Sequence, residues 1–335
     1  MTNLPIVLTM GEPAGVGPEL TIKAKQILKE KHPFFVIGDF NYFAFLAQRS
    51  GIKIKKINEV NQTFEYPEYL CVLDCKLPER VFPGNISLKN SAVIKQTLEK
   101  AVSLISTKQA SALVTNPINK WALKKSCHFP FEGHTDFLAS IDPEKRSSVM
   151  MLTNRDGFKV IPVTGHVPIK KISANLTPEL LETTLRILNE SLKFDYQIQI
   201  PKILVTGVNP HAGETATLGF EEVDVIIPVI EKLKKEGFSL EGPVAADTSF
   251  TQEKRANFDA FVCMYHDQAL IPIKTISFDE SINITLGLSF VRTSPDHGTA
   301  LDIAGKNLAN PKSLVFAIQE AKNLATLRKK NVPQF

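Results

Sequence analysis

The sequence lacks the features that mark several large classes of protein. It has only four cysteines among 335 residues, and none forms a C-x-x-C pair or a zinc-knuckle spacing. No apolar run approaches the roughly 18 residues that a membrane span needs. The first residues show no basic segment followed by a long apolar core, so no signal peptide is expected. We therefore expect a cytoplasmic protein that contacts no membrane.

Neither nucleic-acid binding nor a common nucleotide motif is indicated. The 39 basic and 35 acidic residues give a net charge of +4, and the basic residues are scattered along the chain. The turn GEPAGVGPE (11–19) joins a strand to a helix but lacks the G-x-G-x-x-G fingerprint and the P-loop lysine. It is compatible with an anion cradle or with a plain tight turn. A dinucleotide, if used, must be bound without a Rossmann motif.

Apolar strand-like segments alternate with amphipathic helix-like segments, which predicts an α/β protein with parallel sheets covered by helices. The length favours two domains or one large one, and no linker is visible. Helices are expected from Pro18 to about Glu30, over 87–109 from Ser87, from the cap Thr177, and over 221–236 before Gly237. Strands are expected at 5–10, 34–39, 110–115, 147–153, 158–164, 202–207, 258–265 and 282–286.

Three histidines close segments that read as strands: His166, His211 and His266. In an open parallel sheet, ligands bind beyond the carboxyl ends of the strands. Three imidazoles at the carboxyl ends of the strands could bind a catalytic divalent metal, which takes three protein ligands and keeps one position open for substrate. Asp247 and Asp267 are candidate extra ligands or carboxylates that orient a ligating histidine. Either could instead be an ordinary cap or turn residue.

A second group of candidates is cationic and polar. Lys274, Asn283 and Arg292 each lie near a strand terminus, and His134-Thr135 follow the glycine of FEGHTDF. Arginine recognises phosphate or carboxylate through two parallel hydrogen bonds, and lysine supplies a compact charge. The group therefore indicates a small substrate that carries phosphate, carboxylate or both. Solvated surface charge is the alternative interpretation, most of all for Lys274.

Several short motifs occur in a fixed order along the chain: GEPAGVGPE, TNPINK, GHTDFLA, GVNPHAGE, GP-x-x-ADT-x-F, YHDQ, NITLGL and RTSPDHGTA. This ordered set, from about residue 5 to 325, closely resembles the 4-hydroxythreonine-4-phosphate dehydrogenase family of vitamin B6 biosynthesis. Segment 297–311 (HGTALDIAGKNLANP) is also similar to a loop of isopropylmalate and isocitrate dehydrogenases that contacts the adenosine part of NAD. The stretch Thr215-Ala216-Thr217 departs from the family pattern, which commonly has a glycine there.

The resemblance implies two α/β/α domains with mainly parallel sheets and an active site in the cleft between them, as in isocitrate and isopropylmalate dehydrogenases. Residues 1–130 and 295–335 would form the terminal, cofactor-side domain. Residues 131–294 would form the central domain that carries the metal, the substrate and the dimer contact. A homodimer is implied, with the active site near the subunit interface.

The resemblance also assigns roles to individual residues. One divalent metal (zinc, magnesium or cobalt) would be held by His166, His211 and His266. The candidate catalytic residues are Asp247 and Asp267, but the sequence does not fix which group accepts the hydroxyl proton: Asp247, Asp267 and a relay are all open. The substrate would be bound by His134, Thr135, Lys274, Asn283 and Arg292, and NAD or NADP by His297, Gly298 and Asp302.

The implied reaction oxidises the C3 hydroxyl of 4-phosphooxy-L-threonine with NAD. The resulting β-keto acid loses CO2 and gives 3-amino-2-oxopropyl phosphate. One alternative is a family member that oxidises 4-phospho-threonate or 4-phospho-erythronate. Two others belong to different classes: a metal-dependent hydrolase of a phosphorylated metabolite, and a non-catalytic metabolite-binding protein.

Overall fold

The computed structural model describes residues 4–131 and 133–331. Strands and helices alternate along the described chain, as the sequence pattern predicts. The strands are β1 Ile6–Thr9, β2 Phe34–Gly38, β3 Ile54–Ile57, β4 Leu70–Asp74, β5 Leu113–Thr115, β6 Val149–Thr153, β7 Lys159–Thr164, β8 Lys202–Thr206, β9 Ser239–Val244, β10 Ala260–Tyr265, β11 Ile282–Leu286 and β12 Arg292–Pro295.

Helices of very different length connect these strands. Short 3-10 turns occur at Ile169–Lys171, Pro210–Gly213 and Ala246–Thr248, and a π-helical turn occurs at Glu222–Ile226. The α-helices are α1 Gly17–Leu28, α2 Phe40–Ala47, α3 Gln62–Glu65, α4 Leu88–Ser106, α5 Lys120–Ser126, α6 His134–Ser140, α7 Ile172–Asn175, α8 Pro178–Phe194, α9 Ile227–Lys235, α10 Gln252–Asn257, α11 His266–Ser277 and α12 Lys312–Asn331.

The helix starts that were predicted from capping residues are confirmed. The Ser87 hydroxyl accepts a hydrogen bond from the Asn90 amide (3.3 Å), and Thr177 accepts one from Leu180 (3.2 Å). The helix expected over 221–236 is interrupted, because its first turn is π-helical and only α9 is regular. It ends before Gly237, whose φ of 92° lies in the left-handed region that favours glycine.

The described chain divides into two compact units. The first consists of Met1–Arg146 and Leu288–Thr326. Its strands run in the order β3-β4-β2-β1-β5-β12, and every pairing between them is parallel. Side chains of α4 such as Ile94 and Leu98 pack with Val7 and Phe35 of the sheet in one buried core. This helix therefore buries the apolar face that its sequence spacing predicts.

The second unit consists of Ser147–Gly287 and Leu327–Phe335. Its strands run in the order β11-β6-β7-β10-β8-β9. Strand β6 is antiparallel to both of its neighbours, and the remaining pairings are parallel. Thus a mainly parallel α/β architecture is confirmed in each unit. The domain bounds predicted at 131 and 295 stay a prediction.

No helix in the described part of the chain is both long and apolar enough to cross a bilayer.

Candidate active site

The three candidate metal ligands lie beyond the carboxyl ends of neighbouring strands in the second unit. Strand β10 pairs in parallel with β7 on one side and with β8 on the other. His166 follows β7, His266 begins α11 directly after β10, and His211 lies in the Pro210–Gly213 turn after β8. The predicted strand-end position of all three histidines is therefore confirmed, and it is the edge at which parallel sheets bind ligands.

His166 and His266 lie close together. Their ring centroids are 5.3 Å apart, and the ring planes meet at 42°. Nδ1 of His266 lies 2.7 Å from Oδ1 of Asp267, which is a hydrogen bond in which the imidazole N–H donates to the carboxylate. This bond leaves Nε2 as the ring nitrogen that can hold a metal, an arrangement common among ligating histidines.

His211 is not part of this pair. Among the described residues, no group of three histidine, cysteine or acidic side chains has an arrangement that could hold a metal. The His211 side chain is exposed, and its turn has an unusual backbone. His211, Ala212, Glu214, Thr215 and Ala216 all have φ between 41° and 68°. The three-histidine set therefore stays a prediction.

Glu222 holds the turn that carries His211. The side chain of Glu222 is buried, and its Oε1 accepts from the amides of Val208 and Asn209, both at 2.8 Å. A Cβ on Gly207 or on Gly213 would lie only 2.8 or 2.7 Å from the same carboxylate. The glycines of GVNPHAG are thus needed because Glu222 approaches the backbone closely. Sequence reasoning missed Glu222, since it used this residue only as part of a helix.

Gln268 fixes the strand ends relative to one another. Its Oε1 accepts from the Thr206 hydroxyl (2.8 Å) and from the Met264 amide (2.6 Å), and its Nε2 donates to the Gly207 carbonyl (2.8 Å). The Thr164 hydroxyl donates to the Met264 carbonyl (2.7 Å). These bonds join the ends of β7, β8 and β10. Gln268 belongs to the YHDQ motif, in which only the histidine and the aspartate were predicted to have a role.

The remaining acidic candidate, Asp247, is exposed in the 3-10 turn Ala246–Thr248. This turn lies against the turn that carries His211. Asp267 is also exposed, with 69% of its side chain accessible, and its hydrogen bond to His266 indicates an orienting role. Which carboxylate acts as a base stays a prediction.

A buried cation lies in the first unit. Arg292 begins β12, is 3% exposed, and donates from Nη2 to the Thr115 hydroxyl at 2.7 Å. Burial lowers the pKa of this guanidinium to about 9. A guanidinium carries five N–H donors in a planar fork that matches the oxygens of a phosphate or carboxylate. Arg292 therefore has the chemistry to bind an anionic ligand.

His134 begins α6 in the same unit, followed by the half-buried Thr135. Nε2 of His134 is buried and has no hydrogen-bond partner among the described residues. Burial, and then the positive charges of Arg292 and Lys120, hold the pKa of His134 well below its ordinary value of 6.5. The imidazole is therefore neutral near pH 7. A neutral imidazole can present an N–H donor to a ligand.

The other two predicted substrate residues belong to the second unit. Lys274 is half-buried on α11, with Nζ 5.2 Å from the centre of the Phe278 ring. Asn283 is half-buried on β11. The predicted substrate set is thus divided between the two units: His134, Thr135 and Arg292 lie in one, and Lys274 and Asn283 in the other.

The predicted cofactor residues His297, Gly298 and Asp302 are exposed on a loop after β12. This loop packs on the turn GEPAGVGPE, because the Thr299 carbonyl accepts from the Val16 amide (3.0 Å) and a Cβ on Gly15 would lie 2.8 Å from that oxygen. The amide of Ala14 donates to the buried Glu12 carboxylate (3.2 Å). The Ala14 and Val16 amides are therefore not available to bind an anion. This favours the interpretation of GEPAGVGPE as a plain tight turn over that of an anion-binding loop.

The chain is similar to proteins of known structure and to relatives with a known name. A solved structure of 4-hydroxythreonine-4-phosphate dehydrogenase from Klebsiella pneumoniae matches with a TM-score of 0.85 and 32% identity, covering 96% of this chain and 100% of that one. Relatives of the same name from Methylorubrum extorquens and Paracoccus denitrificans are 41% and 42% identical over 330 and 327 residues. The alignments cover 96% and 97% of this chain and 94% and 98% of theirs.

The fold and these likenesses define the class of protein, an α/β oxidoreductase with the isocitrate/isopropylmalate dehydrogenase-like fold. The family model of the pyridoxal phosphate biosynthetic protein PdxA matches residues 29–321. The chain belongs to that family, as its ordered motifs predict.

Proposed function

We propose that this protein oxidises 4-phosphooxy-L-threonine with NAD or NADP in the biosynthesis of pyridoxine 5'-phosphate. In this reaction the C3 hydrogen leaves as hydride to the nicotinamide, and the hydroxyl proton passes to a base. The β-keto acid then loses CO2 to give 3-amino-2-oxopropyl phosphate. Membership of the family supports the proposal. The observation that carries it within this chain is the His166–His266 pair at the ligand-binding edge of a parallel sheet.

A divalent metal fits this pair. His166 and His266 would hold it, and Asp267 would keep His266 oriented. Imidazole donors suit zinc or cobalt better than magnesium, which prefers oxygen ligands. When bound, such a metal supplies Lewis acidity to the substrate oxygen.

The protein would act as a homodimer. One chain brings two imidazoles together, whereas a catalytic site of this kind takes three protein ligands. His211 is exposed on a turn held by Glu222, so it is available to another molecule. We propose that His211 of a second copy completes each site, which would place the site at the subunit interface.

The anionic groups of the substrate would be bound by the polar and cationic residues that the sequence indicates. Arg292 offers a buried charge, and His134 offers a neutral imidazole whose Nε2 has no partner among the described residues. Thr135 would add a hydroxyl, and Lys274 and Asn283 would also contact the substrate. The loop with His297, Gly298 and Asp302 would contact the adenosine part of the dinucleotide. A cytoplasmic location stays a prediction.

The test is NADH formation from 4-phosphooxy-L-threonine and NAD, followed by absorbance, with and without a chelator. We expect turnover that the chelator abolishes and added zinc or cobalt restores. Parallel assays with NADP, 4-phospho-threonate and 4-phospho-erythronate rank the cofactors and substrates. Release of inorganic phosphate without NADH would favour a hydrolase and refute the proposal.

A further inference from the structure

Lys120 is the last residue of the motif TNPINK, but the sequence motifs do not predict a role for it in substrate binding. It is the first residue of α5, and the preceding Asn119 caps the helix by accepting from the Ala122 amide at 2.9 Å. A Cβ built on Gly133 would lie 3.6 Å from Cε and 3.9 Å from Nζ of Lys120. The ammonium group therefore lies beside the residue that precedes His134.

The same chain segment also reaches Arg292. Strand β5 ends at Thr115, whose hydroxyl accepts from Arg292, and the chain then continues through TNPINK to Lys120. Three elements of the first unit, namely β12 and the starts of α5 and α6, thus bring two cations to one imidazole. The positive charges of both Arg292 and Lys120 act on His134, which agrees with this proximity.

No described carboxylate forms an ion pair with Lys120, which is exposed, and none of the hydrogen bonds within the described residues engages its Nζ. The cluster thus combines nitrogen donors on Lys120, Arg292 and His134, whose buried Nε2 has no partner among the described residues. A carboxylate offers two acceptor oxygens, whereas a phosphate monoester offers three. The number of donors in this cluster therefore matches a phosphate better than a carboxylate.

We propose that Lys120 is a further substrate-binding residue, which contacts the phosphate group of the substrate together with His134 and Arg292. This inference rests on the proposed function for the identity of the phosphate ester. It adds to that function a residue from the β5–α5 connection.

The test compares Lys120→Met and Lys120→Arg with the control Lys125→Met, which removes an exposed lysine of the same helix. Binding of inorganic phosphate is measured by titration calorimetry on each purified full-length protein, with the melting temperature as a check on folding. We expect Lys120→Met to weaken phosphate binding about ten- to hundredfold, the loss typical of one charge-assisted hydrogen bond. Lys120→Arg should recover part of this loss, and Lys125→Met should bind like the wild type.

Equal effects of the two methionine variants, or no effect of either, would overturn the assignment. Steady-state kinetics separate the phosphate from the carboxylate. Lys120→Met should raise KM for 4-phosphooxy-L-threonine and should leave kcat/KM unchanged for 4-hydroxy-L-threonine, which has no phosphate. A similar loss with both compounds would place Lys120 at the carboxylate and refute the phosphate contact. The calorimetric result does not depend on turnover, so a protein that binds phosphate through Lys120 but forms no NADH would refute the proposed function alone.

Discussion

Asp267 accepts a 2.7 Å hydrogen bond from Nδ1 of its neighbour His266 and so selects which ring nitrogen of that histidine is available. Loss of such an orienting carboxylate typically lowers metal affinity about 10–100-fold. We expect Asp267→Ala to have this effect on zinc binding, measured by competition with a chromophoric chelator. Asp279→Ala, an exposed aspartate just beyond the same helix, is the control. Unchanged zinc affinity in Asp267→Ala would refute the orienting role of Asp267.

The proposed sharing of ligands between subunits can be tested by mixing two inactive variants. His166→Ala and His211→Ala should each lose nearly all activity alone. If His211 comes from the second copy, a mixed dimer contains one intact site. Random exchange of subunits should then restore about a quarter of the wild-type activity, because half of the dimers are mixed and each has one of two sites. If all ligands came from one chain, mixing would restore nothing.

Gln268 is expected to contribute to stability as well as to the position of the histidines. Gln268→Leu keeps the volume roughly constant but removes the partners of Thr206, Met264 and Gly207. We expect the free energy of unfolding to fall by about 2–4 kcal/mol, since buried groups lose their hydrogen bonds. Urea unfolding measures this change. Gln252→Leu on the surface of α10 should change the stability by less than about 0.5 kcal/mol.

The depressed pKa of His134 predicts a pH dependence of stability. Below its ordinary pKa of 6.5, this histidine binds a proton in the unfolded chain but not in the folded one, because burial and two nearby cations oppose the charge. The free energy of unfolding should therefore fall as the pH decreases below 6.5, by up to about 1.4 kcal/mol per pH unit from this residue.

Urea unfolding at pH 7.5 and 5.5 tests this dependence. His134→Asn should lose less stability between the two conditions than the wild type. The matched variant His128→Asn changes an exposed histidine and should behave like the wild type. The same loss in all three proteins would show that His134 does not control the dependence.

Much of the fold follows from local signals in the sequence. Ser87 and Thr177 cap helices because their hydroxyls satisfy amides three residues ahead, an interaction that needs no distant contact. The strand-end positions of His166 and His266 follow from short apolar runs that end at polar residues. Such features depend only on neighbouring residues, so a single sequence is enough to predict them.

The site depends on contacts that the sequence does not display. The turn around His211 contains a run of non-glycine residues with positive φ, and it is held by the carboxylate of Glu222 from a later segment. Thr215 and Ala216 adopt left-handed conformations although the expected glycine is absent, at a typical cost of about 1–2 kcal/mol each. The position of Lys120 beside Gly133 likewise depends on a contact between distant segments of the chain, which the sequence pattern does not show.

The absent side chain of Gly15 has a practical consequence for protein engineering. Because the Thr299 carbonyl would lie 2.8 Å from any Cβ at position 15, an alanine there would push the loop after β12 away from the glycine-rich turn. A chimera that imports residues 297–305 from a relative must therefore keep glycine at position 15.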